Sequence, residues 1–358
     1  MSDFSKYKVL ITGACGVTSR AVVRALKKSK YFSDTTYIGT DICENLYGIY
    51  EGLYKKVYKV PLYNSEDYPE VMSRIIKKEK IDAAIIIPEP EVLIWSANEF
   101  PVKYIVPPLK FSETVINKAS LYKILKNSGW VPEFEILSRE EIFHGNTGKF
   151  SEYPLWIRDF SMGSTSGKGA LKISSAEEAK AWVIINAGID QFMLSEYLPG
   201  GNYACHLLYD HGELLKVASY ERLKYFLHKV APSGITGNIS RGRLINNKKI
   251  TDISIQAVQK ICNIHKEKMH GIVAVDLKGD HNNRPYITEI NIRHVAATSS
   301  FADAGFNLAE YHLLLSFEHR DLLDPILEKK YPEKNLILRD IDGIPVWIPE
   351  HKELEIPR

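Results

Sequence analysis

Short apolar runs bounded by turn formers punctuate the first hundred residues, each separated from the next by a stretch of helical periodicity. "KVLIT" (Lys8 to Thr12), "TYIGTD" (Thr36 to Asp41), "AAIII" (Ala83 to Ile87) and "KYIV" (Lys103 to Val106) predict strands, with helices through Ala21 to Lys28 and near Tyr68 to Lys78. Continuous apolar strands alternating with helices predict a parallel sheet covered on both faces, a Rossmann-like domain. Pro107-Pro108 closes it, and "SETVINKASLYKILKNSGW" carries Val115, Ile116, Leu121, Ile124 and Leu125 at the spacing of one linking helix. From Pro132 the pattern changes to short strands, "FEIL", "LWIRDF", "ALKI" and "QFMLSEYL", with a helix "SAEEAKAWVIINA" that Ser175 would cap. A hairpin turning at Asp210-His211-Gly212, a helix from about Thr251 to Lys268 and a second hairpin, "GIVAVDLKGDHNNRPYITEINI", complete an α+β region with antiparallel sheets. "LILRDIDGIPVWI" reads as one more hairpin turning at Asp342-Gly343, and no internal repeat or low-complexity segment is present.

Composition narrows the class. A chain of 358 residues with 45% apolar content is long enough for two or three cores. Its 46 basic and 44 acidic residues nearly cancel, so no overall field would hold nucleic acid or an anionic membrane. The opening "MSDFSKYKVLITG" is too short in apolar residues for a secretory core or a membrane span, and the expectation is a cytoplasmic protein. Cys15, Cys43, Cys205 and Cys262 form no CxxC, which points to reduced thiols rather than a disulfide framework or a zinc knuckle.

Three stretches carry candidate chemistry. "WIRDFSMGSTSGKGALKI", Trp156 to Ile173, has the composition of a phosphate-gripping loop, yet it is not a Walker loop, because Met162 stands where the first glycine belongs and Gly169 where the metal-binding hydroxyl belongs. On this stretch alone a surface hairpin is an equal reading. "TGACGVTS" after the first strand, with Asp41 ending the second, invites a dinucleotide reading, although glycines are needed in any tight strand-to-helix turn. In the second hairpin, alternation puts Glu289 and Asn291 on one face of a strand, with Asp276 opposite. Two carboxylates and an amide suit Mg²⁺ or Mn²⁺. Arg293, on the same side, would add a cation for an anionic reacting group; the alternative is a solvated hairpin with an ordinary charged face.

In the order "NKASLYKIL", "WIRDFSMGSTSGKG", "MLSEYLPGGNY" and "VDLK…YITEINIR", the chain from about Asn117 to Leu315 resembles the ATP-grasp superfamily. The Gly-rich loop is similar to that of the carbamoyl-phosphate synthetase large subunit, although that subunit resembles two such modules in tandem and this chain holds one. The resemblance implies a Rossmann-like domain (1–110), a small subdomain bearing a Gly-rich flap (111–190), a large subdomain bearing a metal site (191–320) and a C-terminal extension (321–358). It implies a ligase that activates a carboxylate with ATP as an acyl phosphate, which an amine then attacks. Lys118 and Arg158 would contact ATP phosphates, and Ser164, Thr165, Ser166 and Gly167 would close over them as a mobile flap. Glu196, Tyr197 and Leu198 would form the adenine hinge, and Asn202 falls where the family has a ribose-binding glutamate. Asp276, Glu289 and Asn291 map to the metal positions, and Arg158 and Arg293 would stabilise charge in the reaction.

Partners on this reading are a small carboxylate and an amine, with a homodimer as an open option and neither nucleic acid nor membrane. Loops at Gly13 to Ser19 and Glu89 to Glu91, with Arg241, Arg293 or His294, would grip the acid. Two rivals stay open: an NAD(P)-dependent oxidoreductase built on "TGACGVTS" and Asp41, and an ATP-binding protein without turnover. Tyr-x-x-x-Lys pairs occur at Tyr122/Lys126, Tyr220/Lys224 and Tyr225/Lys229, which in a chain of 20 tyrosines carries little weight.

Overall fold

The computed structural model describes residues 4–43, 52–160, 169–340 and the backbone of 346–349. Strands β1 (Lys8–Thr12), β2 (Thr36–Asp41), β3 (Lys56–Lys59), β4 (Ala83–Ile85) and β5 (Lys103–Tyr104) form an all-parallel sheet in the order β3-β2-β1-β4-β5. Helices α1 (Val17–Lys27), α2 (Tyr68–Glu79) and α3 (Glu89–Ala97) make the crossovers. "KVYK" was too short a run, and the stretch from Glu89 too close to Pro88, to predict β3 and α3 from periodicity.

The linking helix of the sequence is two helices, α4 (Leu109–Ile116) and α5 (Lys118–Leu125), broken at Asn117. Asn117 is extended (φ −92°, ψ 106°), and its side chain accepts the backbone N–H of Ser120. The cap satisfies one of the open donors of α5 and makes Lys118 its first helical residue.

A four-stranded antiparallel sheet follows, β6 (Phe134–Ser138), β7 (Leu155–Arg158), β8 (Leu171–Ile173) and β9 (Gln191–Glu196), in the order β6-β9-β7-β8. Helices α6 (Arg139–Phe143) and α7 (Ala176–Ile185) accompany it. The hydroxyl of Ser175 caps α7 by accepting from the Glu178 N–H, as the sequence predicts. Leu155, Ile157, Val183 and Leu194 share its core.

The largest sheet gathers β10 (Asn202–Asp210), β11 (Glu213–Tyr225), β12 (Ile239–Ile245), β13 (Gly271–Gly279), β14 (Pro285–Asn291), β15 (Asn335–Leu338) and β16 (Val346–Pro349), ordered β14-β13-β10-β11-β12-β15-β16 and antiparallel throughout. Helices α8 (Lys248–His265), α9 (Thr298–Asp303) and α10 (Leu308–Ser316) complete the chain. The C-terminal hairpin read from "LILRDIDGIPVWI" is thus the β15–β16 pair, with its turn outside the described residues.

Two cores tie the sheets together. Val9, Ile11, Val23 and Ile85 of the parallel sheet and its first helix pack with Leu313 and Leu314 of α10. Leu10, Met72 and Trp95 belong to a core that runs on through Leu121 to Val275, Ile287 and Ile290 of the large sheet. The first sheet is therefore seated against the strands that carry Asp276 and Glu289. Among the described residues no helix is long and apolar enough to cross a membrane.

Candidate active site

Between the two antiparallel sheets lies a cleft of about 330 Å³. Its floor follows from one irregularity in the hairpin of β13 and β14. Asp276 pairs with Glu289 and Leu277 with Ile287, so Thr288 is an extra residue, a β-bulge. At the bulge both terminal nitrogens of Arg158 donate to the Thr288 carbonyl, at 3.3 and 3.2 Å. The Arg158 guanidinium also lies 5.1 Å from the centre of the Tyr122 ring, a cation–π contact that fixes its plane. Lys118, only 7% exposed, places its Nζ 3.3 Å from Glu289 Oε1. It is a buried lysine at a helix start, not the solvated charge that a surface helix would carry.

Arg222 on β11 is the centre of the arrangement. It donates to Asp276 Oδ1 at 2.6 Å, to Asn202 Oδ1 at 2.9 Å and to the Tyr220 hydroxyl at 3.1 Å. Burial pushes the Asp276 carboxyl above the usual carboxylate range, against the pull of Arg222. Asn202 Nδ2 donates in turn to the Tyr225 hydroxyl at 2.7 Å, so both ends of the amide are engaged. Lys278, across from Asn202 in the ladder, has its pKa lowered by burial and then by Arg222.

A second cavity of about 640 Å³ adjoins the cleft, and Arg222, Asp276 and Glu289 line both. Its opposite wall belongs to the parallel sheet: Gly13, Cys15 and Gly16 to Ser19 at the start of α1, Asp41 at the end of β2, and Pro88, Pro90 and Glu91 around α3. Gly13 has φ 61°, and a side chain there would meet Pro88 at 2.7 Å, so this turn admits only glycine. Arg293 bridges the two units. Its Nε is 3.6 Å from Glu89 Oε1, while Nη2 donates to Asn291 Oδ1 at 3.3 Å and Nη1 to the His294 carbonyl at 3.0 Å. Burial raises the Glu89 pKa, and Arg293 opposes the shift.

The residues singled out in the sequence fall as follows. Lys118, Arg158, Glu196, Tyr197, Leu198, Asn202, Asp276 and Glu289 line the cleft; Asn291 and Arg293 line the second cavity with Asp276 and Glu289. Glu196 Oε2 accepts the Glu133 backbone N–H at 3.1 Å. Ser164, Thr165, Ser166 and Gly167 lie outside the described residues. His294 is fully buried against Thr298 and His312, and neither it nor Arg241 lines either cavity. Asp41 accepts the backbone N–H groups of Cys15 and Cys43, one on each oxygen and each at 2.8 Å, a structural role that accounts for its place at the end of β2. Sequence reasoning missed Arg222, Lys278, Tyr122 and Tyr225. Alternation along β11 puts Tyr220 and Arg222 on one face and was the available signal for Arg222.

No family model matches the sequence, and no curated protein matches it. Solved structures do. The L-amino acid ligase from Bacillus licheniformis is 14% identical, with 93% of this chain and 79% of that one covered at a TM-score of 0.61. The N5-carboxyaminoimidazole synthetase from Staphylococcus aureus complexed with ADP is 12% identical over 93% and 82%, with a TM-score of 0.66. The biotin carboxylase domain dimer of the Hydrogenobacter thermophilus 2-oxoglutarate carboxylase, in complex with MgADP, ADP and bicarbonate, is 12% identical over 93% and 74%, with a TM-score of 0.61. At these identities the likeness is one of fold: with a parallel sheet followed by two antiparallel sheets enclosing a cleft, this chain has the ATP-grasp fold.

Proposed function

We propose that the protein is an ATP-dependent ligase that activates a carboxylate as an acyl phosphate and joins it to an amine. The observation that carries this reading is the shared wall: Arg222, Asp276 and Glu289 line both the cleft and the second cavity. A γ-phosphate at the end of one then meets a carboxylate at the end of the other. The carboxylate oxygen attacks the γ-phosphorus and the bond to the bridging oxygen breaks, releasing ADP. The amine attacks the acyl carbon, and phosphate departs with the electron pair and the amine proton. Similarity in fold to an L-amino acid ligase and to a synthetase complexed with ADP supports a ligase that uses ATP.

Lys118 and Arg158 would hold the phosphates, aided by backbone N–H groups of Ser164 to Gly167; Glu196, Tyr197 and Leu198 would read the adenine and Asn202 the ribose. Asp276, Glu289 and Asn291 would hold Mg²⁺. The register pair Asp276–Glu289 with Asn291 two residues on is a hard-oxygen set that fits this ion, and Arg222 and Lys118 temper the repulsion between the carboxylates. Bound there, the metal would neutralise charge on the phosphate oxygens. Arg293, fixed by three partners, would present its fork to the acid. Incubation with Mg²⁺-ATP and a panel of acids and amines should release ADP and phosphate only when both cosubstrates are present. NADPH oxidation without ADP release, or ATP binding without turnover for any pair, would overturn the reading.

A further inference from the structure

Arg339 follows β15 and lines the second cavity, yet it is only 8% exposed. Among the described residues no carboxylate lies within ion-pair distance of its guanidinium and its side chain makes no hydrogen bond; its backbone N–H goes to the Ser240 carbonyl. Arg24, buried on α1, is a like charge near it. Burial pulls the Arg339 pKa down to about 10, opposed by Tyr220 and helped to a smaller degree by Arg24. A guanidinium withdrawn from water without a counter-charge is costly, and folded chains keep one where a ligand supplies the missing charge. The same wall carries the start of α1, an eleven-residue helix whose cap Gly16 offers no side-chain acceptor, so its first N–H groups also favour an anion there.

The position is separate from the reacting centre. Three strands, β10, β11 and β12, lie between β13, which bears Asp276, and β15. The cations near the carboxylates are already matched, Arg222 by Asp276 and Arg293 by Glu89. Arg339 is not. A cavity of about 640 Å³ also exceeds what a single carboxylate fills.

We propose that the acid substrate is a dianion, whose second anionic group, a carboxylate or a phosphate, is held by Arg339 at the end of the cavity away from Asp276 and Glu289. This rests on the ligase reading for the identity of the first group. Arg339 is then a specificity determinant: monoacids of similar size would leave it unpaired and bind weakly.

Calorimetry in the presence of Mg²⁺-ADP, with acetate, succinate, glutarate, phosphoglycolate and inorganic phosphate as probes, tests it on the full chain. At least one dianion should bind ~10-fold or more tightly than acetate, a difference typical of one charge-assisted contact, and Arg339→Gln should erase that preference while leaving the affinity for Mg²⁺-ATP unchanged. Succinate and glutarate against phosphoglycolate distinguish a second carboxylate from a phosphate. No preference for any dianion, or a preference that survives Arg339→Gln, overturns the proposal. The ligand-free melting temperature gives an independent readout: Arg339→Gln should hold or raise it, and a clear fall would mean that the guanidinium is a structural group. Mg²⁺-ATP binding is measured alongside; its absence would refute the ligase reading, whereas the anion preference is read without turnover.

Discussion

The two cavities that meet at Asp276 and Glu289 treat buried charge in opposite ways. In the cleft, Lys118 lies 3.3 Å from Glu289 and Arg222 2.6 Å from Asp276, so the cations and carboxylates neutralise one another before any ligand arrives. In the second cavity Arg339 and Glu91, 8% and 5% exposed, have no opposite charge at ion-pair distance among the described residues. Glu91 accepts hydroxyl protons from Tyr68, at 2.7 Å, and from Thr12, and burial lifts its pKa to about 7. The cleft is organised in advance, and removing one member strands its partner. Arg339 and Glu91 have no such partner among the described residues, and neutralising either should relieve the empty protein. Substitutions on the two sides should therefore change stability with opposite signs.

The largest effect belongs to Arg222. Arg222→Ala leaves Asp276 buried beside Glu289 with no guanidinium, and breaking a buried pair from one side costs about 3 kcal/mol or more, measurable by urea unfolding. A loss below about 1 kcal/mol would mean that the pair behaves as a solvated one. Next comes Glu289→Ala, which removes a proposed metal ligand and should lower turnover ~100-fold or more with the fold retained, the scale of lost electrostatic stabilisation. Near-normal turnover at saturating Mg²⁺ would take Glu289 out of the metal set.

Much of this frame was legible in the sequence, for reasons that also explain the misses. β1, β2 and the hairpin of β13 and β14 are read directly because period-two or continuous apolar runs leave few alternatives, and alternation correctly opposed Asp276 and Glu289. The bulge at Thr288 left no sign, since any residue can be the extra one, yet the carbonyl there is the acceptor for Arg158. Asn117 was hidden inside an unbroken helical pattern, because the break is one residue's backbone conformation and not a change of periodicity. Arg222 and Arg339 looked like ordinary strand charges. Their burial comes from the closing of distant segments over the large sheet, which no local window contains.

Glu91 sharpens the comparison from the cavity side. Its folded pKa, about 7, lies above the ordinary 4.5, so its contribution is fully present below pH 4.5 and is lost as the pH rises through 7. Glu91→Gln keeps an acceptor for Tyr68 and cannot ionise. The variant should match the wild type near pH 4.5 and exceed it by about 3 kcal/mol at pH 8, the rise from 4.5 to about 7 expressed as stability. Urea unfolding at the two pH values measures the difference. Equal stabilities at pH 8 would show that Glu91 ionises without cost and that the cavity is wetter than its burial indicates.

The smallest effect tests Arg293, which joins the two walls of the second cavity. Arg293 reaches Glu89 of α3 with Nε, Asn291 with one terminal nitrogen and the His294 carbonyl with the other, so its plane is set from three sides. Lysine preserves the charge and can satisfy one of these partners, but it has no fork. Arg293→Lys should therefore lower kcat ~10-fold while leaving ATP affinity nearly unchanged, the pattern of an interaction made mainly in the transition state. Because Glu89 is buried, the same variant should also melt somewhat earlier. The two readouts separate the roles: a lower melting temperature with kcat intact would make Arg293 a clasp between the parallel sheet and β14. A loss of kcat that Arg293→Ala deepens would put its guanidinium at the reacting acid.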